Sequence, residues 1–177
     1  MNLIVKILFV LIILVAIPLI IALFVKKEYS VKREITINKP KQEVFNYVKY
    51  VKNQEQYSKW VMTDPNMKKE FRGTDGTEGF VYAWNGNSKA GEGEQEIKRI
   101  KEGERIDIEV RFKRPFEGLA HAPITTEALS ANQTKVVWGM EGKSKYPMNI
   151  TNLSIDGMLG KDLETSLSTL KEILEKQ

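Results

Sequence analysis

The sequence of 177 residues contains no cysteine and a single histidine, His121, and these shortages exclude several kinds of site. Without cysteine the chain has no disulfide, no thiolate nucleophile and no cysteine ligand for a metal. With one histidine, a His-rich metal site is excluded as well, and a serine triad would have to use His121. The chain also lacks the G-x-S-x-G turn that presents a nucleophilic serine.

Motifs for cofactors are missing too. Gly91-x-Gly93 is not followed by a helix with a third glycine, so it is not a dinucleotide fingerprint. Asp64-Pro65-Asn66 does not continue into a calcium-loop pattern. His121 could act as a general acid or base near neutral pH, but the segment 114–121 has the composition of a loop, where an idle exposed histidine is more common. We therefore expect no metal and no cofactor.

The globular part of the chain has little excess charge. The formal net charge is +4, with 27 basic and 23 acidic residues. Residues 1–27 hold three of the lysines and no acid, which leaves 24 basic and 23 acidic residues for the rest. Basic and acidic residues alternate there, as in residues 98–104, which is typical of a solvated face. No nucleic-acid partner is expected, because nucleic-acid binders concentrate basic residues on one surface.

The chain does have one long apolar run. Residues 7–25 are nineteen consecutive apolar positions, preceded by Lys6 and followed by Lys26 and Lys27. A helix of that length spans roughly 28 Å, close to the hydrocarbon thickness of a bilayer. The core of a cleaved signal peptide is shorter, about 7–15 residues, and ends at a small-x-small site, which residues 22–26 lack. The run predicts a single-pass membrane anchor, with an unusual export signal as the alternative.

Basic residues around this run predict the side of the membrane on which the rest of the chain lies. Only Lys6 precedes the run, whereas six basic residues lie between positions 26 and 41. By the positive-inside rule the globular domain is expected to be cytoplasmic. We divide the chain into a transmembrane anchor with its basic flank, residues 1–28, and a domain of residues 29–177, whose length suits one core.

The pattern beyond the anchor mixes strands and helices. Residues 29–37 alternate as a first strand and are followed by an amphipathic helix. Alternation is nearly perfect over 105–112, and further strands are predicted over 124–129 and 134–141. Their short connections predict an antiparallel meander. The chain ends in a helix, expected from about Asn149. Leucine recurs on one face of that helix, at Leu159, Leu163, Leu167, Leu170 and Leu174.

Five segments carry a resemblance to a known family: Arg33–Phe45, Tyr57–Trp60, Gly91–Ile97, Thr134–Trp138 and Gly160–Leu170. In this order and spacing they resemble the SRPBCC (START and polyketide cyclase-dehydrase-like) family. The resemblance covers about residues 29–175, nearly the whole domain. It implies a helix-grip fold of the α+β class, in which a curved antiparallel sheet wraps around a long C-terminal helix. The apolar N-terminal run is an addition to the family's domain.

The resemblance also implies a deep, mostly apolar cavity between sheet and helix. The residues favour the same conclusion, because strand glycines such as Gly91 and Gly93 let strands bend or leave room. Inward positions hold the candidate ligand-binding residues Trp60, Tyr82, Trp84, Gln95, Trp138 and Met140, with Met148 as a further wall residue. These large side chains could equally be ordinary core, and Gln95 a rim residue. Arg111 and Lys113 are candidates for the mouth, or solvated strand positions.

The sequence therefore predicts a membrane-anchored domain that binds a small hydrophobic molecule, such as a lipid, an isoprenoid or an aromatic metabolite. Two alternatives stay open. A polyketide cyclase- or dehydratase-like enzyme needs ionisable side chains that point into the cavity, and the strand alternation places almost none there. A module that regulates a protein partner needs an exposed apolar patch and a collapsed cavity. Whether the domain is catalytic is not decided by the sequence.

Overall fold

The longest strand pairing joins the first and last strands of the domain, and the other elements are arranged around it. The computed structural model describes residues 2–176. In chain order the elements are α1 (Leu3–Phe24), β1 (Glu28–Ile37), α2 (Lys41–Lys49), α3 (Gln54–Tyr57), β2 (Lys68–Arg72), β3 (Val81–Asn85), β4 (Glu92–Lys101), β5 (Arg105–Arg114), β6 (Gly118–His121), β7 (Ile124–Ser130), β8 (Gln133–Lys143) and α4 (Ile155–Lys176). Short 3-10 segments cover Val51–Asn53, Val61–Thr63 and Met148–Leu153.

Within residues 2–176, eight strands form one antiparallel sheet in the order β1-β8-β6-β5-β4-β3-β2, with β7 pairing with both β8 and β5. β1 pairs with β8 along its whole length, from Glu28 opposite Lys143 to Ile37 opposite Thr134. β6 and β7 together form one bent strand between β5 and β8. The bend lies at Ala122 and Pro123, where proline has no amide hydrogen to donate to a ladder.

Two strands differ from the sequence-based expectation. The expected loop over 114–121 is wrong in its second half, because Gly118–His121 is β6, with His121 exposed at its end. Only Ala120 of these four residues is buried, so the segment shows no alternation that could have predicted a strand. The sequence does not predict β2, because all five of its residues are exposed and the strand has no apolar face.

α4 packs its apolar stripe against the sheet. Leu163, Leu167, Leu170 and Leu174 are fully buried, whereas Leu159, one turn nearer the start of the helix, is only half-buried. α2 covers a second part of the sheet, on β7 and β8, with the buried residues Val44, Phe45 and Val48. The expected start of α4 near Asn149 is wrong. Residues 148–153 form a 3-10 segment, and α4 begins at Ile155.

Arg33 of β1 connects the sheet to the first half of α4 by two ion pairs. Its Nε donates to Glu164 at 2.6 Å, and Nη1 and Nη2 each donate to Asp156 at 3.0 Å. Gly160 lies between these two acids on the helix, and a Cβ at that position would overlap the guanidinium. The absence of a side chain at Gly160 therefore lets a charged group of the sheet reach both carboxylates.

The C-terminal end of α1 is capped by side chains from the 3-10 segment at 148–153. Nδ2 of Asn149 donates to the carbonyl oxygens of Ala22 at 2.6 Å and Val25 at 2.8 Å. Asn152 donates in the same way to the carbonyls of Lys26 and Lys27, both at 2.9 Å. The last carbonyls of a helix have no partner within the helix, so these bonds satisfy groups that otherwise need water. α1 is thus joined firmly to the domain.

α1 is long and apolar enough to cross a membrane, with Pro18 inside it, and secretion signals share these properties. Its 22 residues correspond to about 33 Å, near the thickness of a bilayer's hydrocarbon core. Nearly all of its side chains are exposed, apart from Ala22, which the domain buries.

Gly157 and Gly160 both lie inside α4, so changing each to alanine gives a matched test. Gly157→Ala should stabilise the domain by about 0.5–1 kcal/mol, because nothing lies within 4 Å of the added Cβ and alanine favours a helix. Gly160→Ala should destabilise it, because the Cβ displaces Arg33 from Asp156 and Glu164. Urea unfolding of the two variants measures the difference, and equal effects would contradict this role for Arg33.

Candidate functional site

A cavity of about 240 Å³ lies between the sheet, α3 and the first turns of α4. It occupies the end of the domain where Leu159, rather than a fully buried leucine, faces the sheet. Its walls are mostly apolar, because alternate residues of three strands point inward with large side chains. These residues are Tyr82 and Trp84 of β3, Val110 and Phe112 of β5, and Trp138 and Met140 of β8.

All six residues that the sequence marks as candidates lie on the wall of this one cavity. They are Trp60, Tyr82, Trp84, Gln95, Trp138 and Met140. Gln95 is 9% exposed and faces inward next to its register partner Tyr82, so it is not a rim residue. Met148 lies elsewhere, in the 3-10 segment at 148–153, and is exposed.

The structure adds wall residues that the sequence did not single out. Val110 and Phe112 follow the inward alternation of β5, so the pattern that predicted the strand could also have found them. Gln54 and Ser58 lie one helical turn apart at α3 and are buried against the cavity. No sequence pattern indicates them, because polar residues in a short helix normally face solvent.

Three buried donor groups on the cavity wall find no hydrogen-bond partner among residues 2–176. They are Nε2 of Gln54, the hydroxyl of Tyr82 and Nε1 of Trp138. The oxygen of the Gln54 amide is used, because it accepts a bond of 3.0 Å from Nε2 of Gln95. Each unpaired buried polar group costs about 1–3 kcal/mol, so such groups are rare in a cavity that has no polar occupant.

The charged residues among those that line the cavity lie at its mouth. Among the wall residues Lys89, Arg114 and Pro115 are exposed, and they form the mouth. Arg114 donates from Nε to Glu92 at 3.0 Å and from Nη2 to Asn85 at 2.7 Å. Burial raises the pKa of the Tyr82 hydroxyl far above neutrality, so this inner group stays protonated. The wall therefore offers neutral donors inside and cations only at its edge.

Arg111 and Lys113 do not line the mouth. Arg111 lies on the outer face of the sheet, where it bonds Glu94, Glu96 and Glu109. Hydrogen bonds from Arg72 and Arg111 hold the pKa of Glu94 below its usual range. Because side chains alternate along β5, Arg111 and Lys113 point to the opposite side of the strand from Val110 and Phe112. Arg114, the last residue of the strand, points to the same side as Phe112 and lies at the mouth.

The cavity opens at the end of the domain that carries α1. Two short segments run from the cavity to grooves near the end of α1. In the β5–β6 turn, Pro115 lines the cavity, while Glu117 and Gly118 line a groove beside Lys27. In α4, Ile155 lies in a second groove against the end of α1, and Leu159 lines the cavity one turn later, about 6 Å away along the helix. The mouth and the C-terminal end of α1 thus lie at the same end of the sheet.

Solved structures with this architecture confirm the predicted fold. Norcoclaurine synthase from Thalictrum flavum, in complex with dopamine and hydroxybenzaldehyde, superposes with a TM-score of 0.67 at 10% identity, over 89% of this chain and 92% of that one. Ara h 8.0201 gives 0.56 at 14% identity, over 85% and 99%. A protein from Chromobacterium violaceum gives 0.59 at 14% identity, over 82% and 96%.

These neighbours include Bet v1-like proteins of the SRPBCC superfamily, so the helix-grip fold with its curved sheet and long C-terminal helix is established. At such identities the likeness concerns the fold alone. The sequence matches no protein-family model and no characterised protein sequence.

Gly93 leaves room for one wall of the cavity, which an alanine should disturb. A Cβ at Gly93 would lie 2.7 Å from the ring of Trp84 and 2.6 Å from the carbonyl of Arg111. Gly93→Ala should therefore push Trp84 out of place and destabilise the domain by about 1–3 kcal/mol. Gly118→Ala is the control, since its Cβ would meet only Phe112 at 3.8 Å. Urea unfolding followed by tryptophan fluorescence tests both; an unchanged emission in Gly93→Ala contradicts the expected crowding.

Proposed function

We propose that this chain is a membrane-anchored domain that binds one small hydrophobic ligand. The observation that carries the proposal is the cavity of about 240 Å³, which is walled by aromatic side chains and lies at the same end of the sheet as the end of α1. In this proposal residues 1–28 are the anchor with its basic flank and residues 29–177 the binding domain. The six inward residues Trp60, Tyr82, Trp84, Gln95, Trp138 and Met140 form the binding site.

The size of the cavity narrows the choice of ligand. Pockets for drug-sized ligands have volumes of about 300–1,000 Å³, and this cavity is smaller. A molecule of one or two rings, or a short isoprenoid, suits it better than a two-chain lipid. Norcoclaurine synthase, which shares the fold, holds dopamine and hydroxybenzaldehyde in its structure, and compounds of that size suit the cavity here.

Contacts at the end of α1 support a domain that rests on the bilayer surface. The hydroxyl of Tyr146 lies 3.4 Å from the carbonyl of Leu19, and Asn149 reaches the carbonyl of Val25. The domain therefore touches α1 over about 9 Å of its length, within the depth to which interfacial groups enter a membrane. Tyrosine is enriched at that depth. The basic residues that follow α1 support a cytoplasmic side for the domain.

Several exposed apolar side chains lie at the same end of the domain as the mouth. Phe116 follows the mouth residue Pro115, Leu119 lines the groove beside Lys27, Leu153 lines the groove against α1, and Met158 precedes Leu159. Contact with lipid gives these side chains an apolar environment, with the nearby lysines available to anionic headgroups. A ligand dissolved in the membrane then meets the cavity without crossing bulk water.

The chemistry of the wall favours binding over catalysis. A cyclase- or dehydratase-like enzyme needs acid or base groups within reach of its substrate. Inside the cavity the described wall residues offer one ionisable group, the Tyr82 hydroxyl, whose pKa burial raises further from neutrality. His121 lies in the groove beside α1 and not in the cavity. A partner-regulating module, in turn, fits a collapsed cavity better than an open one.

A cavity-filling variant tests ligand binding. Ala122 is buried on the wall, and Ala122→Phe should occupy the space and exclude a guest. Native mass spectrometry of the full chain in nanodiscs should show a small co-purifying species in the wild type and in the control Ala128→Phe, an exposed position of β7, but not in Ala122→Phe. A ligand at about 100 times its Kd should also stabilise the wild type by roughly 2.7 kcal/mol. An empty wild-type cavity across lipid extracts contradicts the proposal.

The absence of native cysteines allows a direct test of membrane contact. Leu153→Cys and Phe116→Cys, labelled with an environment-sensitive fluorophore in nanodiscs, should show blue-shifted emission that spin-labelled lipids quench. Asn132→Cys is the control, because it precedes β8, about 33 Å along that strand from Lys143 and the end of α1. The intact mass of the purified chain distinguishes an anchor from a cleaved signal. Equal solvent exposure at all three sites contradicts contact of this face with the bilayer.

A further inference from the structure

We propose that the ligand of this cavity is a neutral molecule with at least one, and at best two, hydrogen-bond acceptor oxygens, such as a carbonyl or ether oxygen. This inference rests on the proposed function and adds the chemistry that the cavity selects. It follows from three unpartnered donors on the wall, which belong to Gln54, Tyr82 and Trp138.

Two of the three groups can be satisfied only by an acceptor of the ligand. An indole N–H and an amide NH₂ can only donate, so neither Trp138 nor Nε2 of Gln54 can be satisfied by a ligand donor. The hydroxyl of Tyr82 can donate or accept. All three residues are at least nine-tenths buried, with exposures of 3%, 1% and 3% for Gln54, Tyr82 and Trp138. A guest with acceptor oxygens removes the cost of burying these donors, whereas a pure hydrocarbon leaves it unchanged.

The donors are held in place by their neighbours. The bond from Gln95 fixes the amide of Gln54 with its oxygen toward Gln95, which leaves Nε2 free. The ring of Trp138 lies edge-on to Tyr57 at 5.7 Å and to Trp60 at 5.8 Å. The ring of Tyr82 packs against Phe71 at 5.0 Å. These contacts restrict the three side chains, and a restricted set of donors favours affinity and selectivity.

The walls do not suit a charged guest. Within the described wall, Lys89 and Arg114 lie at the mouth, and Arg114 is already bonded to Glu92. A carboxylate inside the cavity gains neutral donors but no cation, and an ammonium gains no anion. Burial of an unpaired charge is far more costly than burial of a neutral polar group. The preferred ligand is therefore neutral, aromatic or isoprenoid, and oxygenated.

A matched set of small probes tests this selectivity on the full chain in nanodiscs. 2-Acetylnaphthalene and 2-isopropenylnaphthalene have nearly the same shape, but only the ketone has an acceptor. 2-Naphthoate adds a charge. Quenching of tryptophan emission, corrected with empty nanodiscs, should give a Kd for the ketone at least about fivefold lower than for the alkene, with naphthoate the weakest of the three.

Variants identify the groups responsible. Trp138→Phe and Tyr82→Phe each remove one unpartnered donor, so the preference for the ketone should fall to about twofold or less while binding of the alkene persists. Tyr57→Phe is the matched control, because the Tyr57 hydroxyl is also buried and unpartnered, but Tyr57 is not among the residues that line the cavity. That variant should keep the preference for the ketone.

Thermal unfolding without a probe gives an independent readout. Tyr82→Phe should leave Tm unchanged or raise it, because it removes a buried hydroxyl that has no partner. Trp84→Phe should lower Tm, because it removes the hydrogen bond of 3.1 Å from the Trp84 indole to the carbonyl of Ala90. Equal affinities for ketone and alkene, or tightest binding of naphthoate, overturn this inference and leave the proposed function standing. Failure of all three probes to bind overturns both.

Discussion

The structure depends on how α4 fills a curved sheet along only part of its length. From Leu163 to Leu174 the apolar stripe of the helix is fully buried, and a single helix suffices to close that half. Toward its start, the helix faces the sheet through Leu159, which is only half-buried and lines the cavity. Large side chains from β3, β5 and β8 then line the remaining space without closing it. A packed core and an open cavity thus lie at opposite ends of one interface.

Much of this fold could be predicted from local patterns. The alternation of β5, the leucine stripe of α4 and the inward parity of Tyr82, Trp84 and Trp138 are periodic signals, and they place residues on the correct face. The missed elements lack such signals. β2 is exposed on both faces, and β6 is four residues long with one buried member. A pattern method has nothing to detect where burial does not alternate.

The chemistry of the cavity was harder to predict than its walls. Which donors stay unpartnered depends on contacts between residues far apart in the sequence, such as the 41 positions that separate Gln54 from Gln95. The contact between Arg33 and Gly160 and the hydrogen bond from Asn149 to α1 also join residues that lie far apart in the sequence. Sequence periodicity indicates that a side chain faces inward; only the assembled fold shows what it meets there.

The caps of α1 have a consequence for the order in which the chain is made. Asn149 lies 127 positions after Ala22, whose carbonyl it binds. At a synthesis rate of about 5–20 residues per second, that delay is roughly 6–25 seconds. α1 therefore leaves the ribosome long before Asn149 and Asn152 exist, and the carbonyls at its end lack these partners during that interval. The contacts between α1 and the 3-10 segment at 148–153 are thus among the last that the chain can form.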